Sequence, residues 1–391
     1  MKQDATILIV YSTFGDGHVQ AAKALEQAFR ALGCRRIHLL DLLAEAHPHW
    51  NAVSRFAYLK SAAYCPRLYG LSYRWTNARR RDSRLIRWLQ SLGKRTMTAW
   101  MDRIRPDAVV HTFPYLAVSH LRSETRRDVP TFTVLTDYVL HSRWVHPGTD
   151  RYFVATEELG SELAAAGISD SRIVVSGIPV REAFDRPVDR QTACMKYGLD
   201  AGRKYLLLVA GAYGVLPQVQ PLVRTALSRT GFDLLLVCGK NGKLAEEMNR
   251  SFGHDRRVRV FGFVERLQEL MAASACLVTK AGGITLTEAA AMSLPVVVYR
   301  PLPGQEEGNA DALCGRGALL AARNPEELSA HLVRLEEDEY RRRMAAAIGR
   351  IYRPDAARKV AAEVLQCVEQ HRLSPEWTPA AGGRKAVHGY C

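Results

Sequence analysis

The chain has no run approaching the ~20 apolar residues that a membrane-spanning helix needs. Its longest candidate, Leu206 to Leu216, is interrupted by Gly211 and Gly214. The opening Met1-Lys2-Gln3-Asp4 leads directly into an apolar strand pattern and does not read as a secretory signal. Eight cysteines (Cys34, Cys65, Cys194, Cys238, Cys276, Cys314, Cys367, Cys391) contain no C-x-x-C pair, and several fall inside apolar runs. That scatter points to free thiols in a reducing compartment and away from a disulfide framework or a zinc site. Also missing is any Asp-x-Asp pair, the usual carboxylate clamp for a nucleotide-bound Mg²⁺ or Mn²⁺. His141 and His146 lie near Asp137, but their spacing fits no zinc pattern. No metal is expected.

Acidic residues are scarce in one stretch. Between Arg67 and Arg105 there are eleven Lys or Arg against two Asp, a local balance of +9 within a net charge of +14. Such concentration marks an acidic partner surface, since charge spread for solubility has no reason to cluster. Aromatics (Trp50, Phe56, Tyr58, Tyr64, Tyr69, Tyr73, Trp75, Trp88, Trp100) interleave with it over residues 47–105. Leu85, Trp88, Leu89 and Leu92 recur at helical spacing, with Arg84, Arg87, Lys94 and Arg95 off that stripe. An amphipathic helix of this kind suits the headgroup layer of an anionic membrane, with Arg79, Arg80, Arg81, Arg84, Arg87 and Trp88 as the contact set. Packing of the stripe on a domain core and binding of single-stranded nucleic acid are the competing readings; a nucleic-acid partner is not expected.

At 391 residues the chain exceeds the size at which one core keeps growing, so two domains are expected. Both halves alternate apolar strands with helical stretches. Thr6 to Tyr11 is a continuous apolar run of the central parallel-strand type, followed by Ser12 to His18 and a helix from Val19 to about Leu32. A dinucleotide fingerprint would need a third glycine after Gly15 and Gly17, where Gln20 stands. His18 at a helix start should remain neutral near pH 7, since the dipole there disfavours imidazolium. The alternation restarts at Tyr205 to Ala210, which ends in the glycine-bearing loop Gly211 to Val215.

The most informative stretch runs from Cys276 to Asn309. The strand Cys276-Leu277-Val278-Thr279 enters Lys280-Ala281-Gly282-Gly283, which opens a helix through Thr285 and Glu288. Adjacent glycines permit positive φ and close approach of a ligand. Free amides at a helix start favour a diphosphate. Thr285-Leu286-Thr287-Glu288 is equally a capping box, in which Glu288 only closes the helix start. A second loop, Pro301 to Asn309, follows the next strand and carries Gln305, Glu306 and Asn309 as hydroxyl binders. Phosphate binder plus hydroxyl binder suggests a nucleotide sugar.

Here the motif "KAGGITLTEAAAM", with "PLPGQEEGNA" after it, resembles the donor half of family 28 glycosyltransferases, the group of plant galactolipid synthases and bacterial diacylglycerol glucosyltransferases. "GDGHVQAAKAL", "LKSAAYCPRLYGLSY" and "TDYVLHSRWVHPGTDRYFVATEEL" are similar to segments of the same family, so the likeness spans about residues 5–370. It implies an α/β fold of the GT-B type, two Rossmann-like doubly wound domains facing across a cleft. The expected division is 1–178 for the acceptor domain, 179–355 for the donor domain, 356–373 for a helix crossing back, and a disordered tail at 374–391. The resemblance further implies transfer of glucose from UDP-glucose to diacylglycerol, with inversion, at the cytoplasmic face of the membrane. UDP-galactose or UDP-N-acetylglucosamine as donor, an epimerase, and a non-transferring binder of nucleotide sugar remain alternatives. His18 is the implied general base, with Asp137 or His141 orienting it or the acceptor. Gly15, Gly17 and Gly211 belong to the implied substrate loops. Backbone at Phe263 and Val264 is implied for uracil, Gly282, Gly283 and Thr285 for diphosphate, Glu288 for ribose, and Gln305, Glu306 and Asn309 for the sugar. Ala281 stands where many relatives have proline, and Tyr213 where close bacterial relatives have histidine.

Overall fold

A computed structural model describes residues 4–13, 15–49, 70–71, 73, 75, 77, 93–114, 129–146 and 148–373. Arg79, Arg80, Arg81, Arg84, Arg87 and Trp88, the stripe around them, and the tail 374–391 lie outside the described residues.

Two six-stranded parallel sheets carry the fold. The first comprises β1 (Thr6–Tyr11), β2 (Arg36–Asp41), β3 (Ala108–His111), β4 (Thr131–Val134), β5 (Arg151–Val154) and β6 (Ile173–Val175), in the order β2-β1-β3-β4-β5-β6. The second comprises β7 (Tyr205–Val209), β8 (Asp233–Val237), β9 (Val258–Phe261), β10 (Cys276–Thr279), β11 (Val296–Tyr299) and β12 (Leu320–Ala322), ordered β12-β11-β10-β7-β8-β9. The central strands are continuous apolar runs because helices cover both faces, and β7, β8, β10 and β11 are buried throughout.

Each sheet order reverses once. The reversal falls between β1 and β3 in the first sheet and between β7 and β10 in the second. Open parallel sheets keep ligands beyond the strand ends at such points, where two loops diverge and leave a crevice. The four loops so placed begin at Ser12, Thr112, Ala210 and Lys280.

The two halves share a contiguous apolar core. One cluster runs from Leu135, Tyr138 and Trp144 of the first half to Leu207, Leu277, Ile284 and Leu286 of the second. The closing helix (Ala356–Leu373) belongs to the first half by packing, since Val360, Ala361, Val364, Leu365 and Val368 share a cluster with Ile7, Phe29 and Val110. Each fully buried Val or Leu there contributes roughly 1.5–3 kcal/mol, more than Arg372–Asp107 at 2.7 Å, which is partly exposed. The outward crossing and the return run side by side. Gly177, at φ 86°, sits so close to Arg353 that a Cβ would lie 2.7 Å from the arginine's own Cβ.

Four of the cysteines are fully sequestered core residues, and burial pushes the Cys238 thiol up to about 11 and Cys276 to about 12. The end of the basic aromatic stretch is core as well. In the helix Lys94–Ile104, Met97 and Met101 are buried, and Trp100 donates to Glu45 at 2.7 Å under the Arg103 guanidinium. For this portion packing on the domain explains the amphipathic pattern, while Leu71 and Trp75 stay exposed.

Candidate functional site

A cavity of about 500 Å³ lies between the two sheets at their facing reversal points. It is lined by Gly15, Gly17, His18 and Asp137 from the first half, and by Gly211, Phe263, Val264, Gly282, Gly283, Thr285, Glu288, Gln305 and Glu306 from the second. Of the residues singled out in the donor and base motifs, Asn309 alone does not line it. It is wholly buried behind the wall.

The first wall is the start of the first helix (Asp16–Ala31). The helix begins three residues earlier than its apolar pattern suggests, because Gly15 serves as an extended N-cap at φ −140°. This places His18 in the first turn. Its Nδ1 lies 2.7 Å from the Thr112 carbonyl oxygen, which leaves the first sheet beyond β3. A carbonyl only accepts, so Nδ1 carries the proton and the lone pair of the neutral ring is on Nε2. The Thr136 hydroxyl lies 3.0 Å from the same nitrogen, and the ring edge packs on Phe113 at 4.7 Å. Burial lowers the His18 pKa below 6.5, opposed by the Asp137 charge and the Thr112 hydrogen bond. The ring is therefore neutral near pH 7, with desolvation, not the helix dipole, as the main cause.

His141 also lines the cavity. Its Nδ1 accepts from the Arg143 amide at 3.1 Å, capping the short helix Ser142–Trp144, and its ring meets Tyr73 at 4.6 Å. Burial holds its pKa down at about 4, so the ring is neutral near pH 7.

The opposite wall is the glycine turn and the helix Gly283–Ala291. Neither glycine uses positive φ. Gly282 is an extended N-cap at φ −77°, and Gly283 is already helical. What Gly283 supplies is close approach: a Cβ there would lie 2.1 Å from the Thr136 carbonyl oxygen. Positive φ is needed instead at Gly211 (φ 83°) and Gly304 (φ 104°), and a Cβ on Gly304 would strike the Tyr73 ring at 2.7 Å. No side chain among the described residues caps the helix start. The amides of Gly283, Ile284 and Thr285 therefore face the cavity with the positive end of the dipole behind them.

Because this helix starts at Gly283, Thr285 is not its cap and the capping box does not form. Glu288 lies inside the helix, 5% exposed, with Arg181 at 3.7 Å. Arg181, from the segment joining the halves, also donates to the Glu265 carbonyl at 2.7 Å. Burial raises the Glu288 pKa to about 7, only partly opposed by Arg181. A carboxyl whose folded pKa exceeds its unfolded value near 4.5 loses folding stability as pH rises through that interval. Glu288→Gln is expected to raise the melting temperature at about pH 8 by several degrees and to change it little near pH 4. An equal shift at both pH values in thermal unfolding would rule out a strained carboxylate.

Beyond Glu288 the wall becomes a charged pair. Lys280 Nζ lies 2.6 Å from Glu306 Oε1, and the other Glu306 oxygen accepts from the Leu302 amide. Lys240 stands over the Tyr213 and Phe263 rings at 5.7 and 5.3 Å, and the Phe263 ring itself is 54% exposed. Tyr213 thus helps place a cation beside the mouth. Arg181 and Lys240 belong to no motif, and neither they nor Lys280 shows its role in the sequence, since each meets a partner remote along the chain. Only Lys280, which abuts the glycine turn, stands inside a motif. Among the described residues no group of three or more His, Cys, Asp or Glu is placed to hold a metal ion. No described helix is long and apolar enough to cross a membrane.

Two parallel sheets with a cleft between facing reversal points define the GT-B class. Solved structures agree at the level of fold. Acinetobacter baumannii MurG superposes with a TM-score of 0.60 at 16% identity, over 93% of this chain and 99% of that one. The UDP-GlcNAc 2-epimerase from Neisseria meningitidis, bound to UDP-GlcNAc, gives 0.61 at 14% identity, over 92% and 100%. Solved structures described as a glycosyltransferase, from Rickettsia africae, and as an epimerase share the architecture, so the fold alone does not select a reaction.

Sequence relatives narrow the assignment. Residues 18–180 match the family model of monogalactosyldiacylglycerol synthase. Residues 232–351 match glycosyl transferases group 1, so the donor half, likened above to family 28 on its motif, falls under that model. The processive diacylglycerol beta-glucosyltransferase of Bacillus cytotoxicus is 37% identical over 94% of this chain and 95% of its own length. That of Bacillus thuringiensis is 35% identical over 97% of each. The chain belongs to this processive diacylglycerol beta-glucosyltransferase family of glycosyltransferases.

Proposed function

We propose that the protein is an inverting glycosyltransferase that moves glucose from UDP-glucose to the free hydroxyl of 1,2-diacylglycerol. The product is a β-glucosyl diacylglycerol, which further rounds extend. The observation that carries this reading is the pairing across one cleft of a neutral His18, protonated on Nδ1, with an uncapped helix start at Gly282 and Gly283. The names of the full-length relatives support the lipid acceptor and the hexose.

In this scheme the acceptor oxygen attacks the anomeric carbon as the bond from that carbon to the diphosphate oxygen breaks. His18 Nε2 takes the hydroxyl proton, and UDP departs with the bonding electrons. The Gly283–Thr285 amides stabilise charge growing on the diphosphate, so no metal is required. Phe263 and Val264 hold uracil, Glu288 the ribose hydroxyls, and Gln305 with Glu306 the hexose. The basic residues Arg79 to Arg87, with Trp88, dock the protein as a peripheral protein on an anionic surface at the cytoplasmic face.

The test uses purified protein, diacylglycerol vesicles with and without anionic lipid, and a panel of UDP-sugars, with products resolved by mass and anomeric configuration. Glucosylated diacylglycerol of β configuration is expected, faster on anionic vesicles and unaffected by EDTA. Interconversion of UDP-sugars without acceptor would assign an epimerase. Binding of UDP-glucose and vesicles without UDP release would assign a sensor.

A further inference from the structure

We propose that Asn309 is a positioning residue of the domain seam, holding the Asp137 carboxylate beside His18 and fixing the closed arrangement of the two halves. The inference rests on the assignment of His18 as base. It departs from the expectation that Asn309 binds the donor sugar.

Asn309 lies on the helix Gln305–Cys314, one turn behind Gln305 and Glu306, and is 0% exposed. Its Nδ2 donates to Asp137 Oδ1 at 2.9 Å and to the Ala281 carbonyl at 3.0 Å. Its Oδ1 accepts from the Tyr138 amide at 2.8 Å. The amide orientation is thereby fixed, since a flipped group would set oxygen against two acceptors and NH₂ against a donor. Asp137 and Tyr138 follow β4 in the first half, while Ala281 directly precedes the glycine turn in the second. One buried amide therefore ties the base side of the cleft to the donor turn.

A second layer repeats the connection. The Tyr138 hydroxyl meets Thr287 Oγ1 at 2.7 Å, and Thr287 in turn donates to the Gly283 carbonyl at 2.8 Å. Gly308 leaves room for Val139, whose side chain would lie 3.1 Å from an added Cβ. The seam is buried, so parting the halves breaks these hydrogen bonds together and exchanges them for bonds to water. Asp137 is also the charge that supports the basicity of His18 against burial. Closure and base strength are linked through Asn309.

Asn309→Ala and Asn309→Asp test this. The second keeps the shape but sets a second carboxylate against Asp137. Expected is a fall in kcat of about 30-fold or more, with the UDP Kd from calorimetry held within about 3-fold. In Asn309→Ala, release of Asp137 lets the His18 pKa drop further, so the acid limb of kcat/KM moves to lower pH. In small-angle scattering with UDP present, the variants should show a larger radius of gyration than the wild type. Tyr138→Phe, which deletes only the outer hydroxyl contact, should enlarge the radius in the same direction. It serves where the Asn309 variants fail to fold. UDP affinity falling by the same factor as kcat would make Asn309 a donor ligand and overturn the proposal. An unmoved acid limb with an unchanged radius would overturn it too. The UDP affinity and the radius do not depend on which sugar or acceptor is used, so an error in the proposed reaction leaves them readable.

Discussion

His18→Ala is expected to lower transfer by about 10²–10⁴-fold, the usual contribution of a positioned general base. UDP affinity should be unchanged, because the ring touches Thr112, Thr136 and Phe113 and no group of the donor turn. In the wild type, kcat/KM should fall only below pH 6.5, since burial lowers the His18 pKa and protonation removes the lone pair. Initial rates over a pH series, paired with calorimetry of UDP, check both parts. Loss of UDP affinity in step with the rate would move His18 from the chemistry to the binding site.

The second large effect concerns the two glycines, which the structure gives different work. Gly283→Ala puts a Cβ 2.1 Å from the Thr136 carbonyl oxygen and 3.1 Å from the Asp137 Cα. Backbone on both sides leaves nothing flexible to yield, so the halves must separate. A displacement of about 1 Å between base and leaving group lowers the rate on the order of 10²-fold. Gly282→Ala meets no atom within 4 Å and has a backbone conformation open to any residue. It should fold normally and close normally, and its added methyl should interfere only with what binds against the turn. Transfer kinetics and UDP calorimetry on the two variants should therefore diverge: a kcat defect for Gly283→Ala, a UDP defect for Gly282→Ala. Identical behaviour would remove the distinction between seam and phosphate site.

Both contrasts show where the sequence was sufficient. Continuous apolar runs bounded by glycine and polar turns mark buried parallel strands, and β1 spans Thr6–Tyr11 as its residues suggest. Loops at strand ends are equally visible, because the chain must turn there and glycine or proline marks several of the turns, as at Gly15, Pro114, Gly211 and Gly282. The start of the first helix is less legible: its apolar pattern begins at Val19, whereas the backbone becomes helical at Asp16, while the Gly282-Gly283 pair opens the later helix as expected. An uncapped glycine N-cap such as Gly15 leaves no side-chain signature for the eye to find.

The sequence by itself determined which segments are strands and helices, that the chain holds two alternating α/β units, and that histidine, glycine and carboxylate residues gather at loop ends. These follow from local periodicity and backbone freedom, which need no partner. Only the tertiary structure decided that Glu288 is a buried carboxyl beside Arg181, that His141 caps a short helix, and that Asn309 bridges the two halves. Those outcomes depend on burial and on pairs such as Asn309 and Asp137, 172 positions apart. The electrostatic state of a side chain is set by what the other half of the fold brings against it.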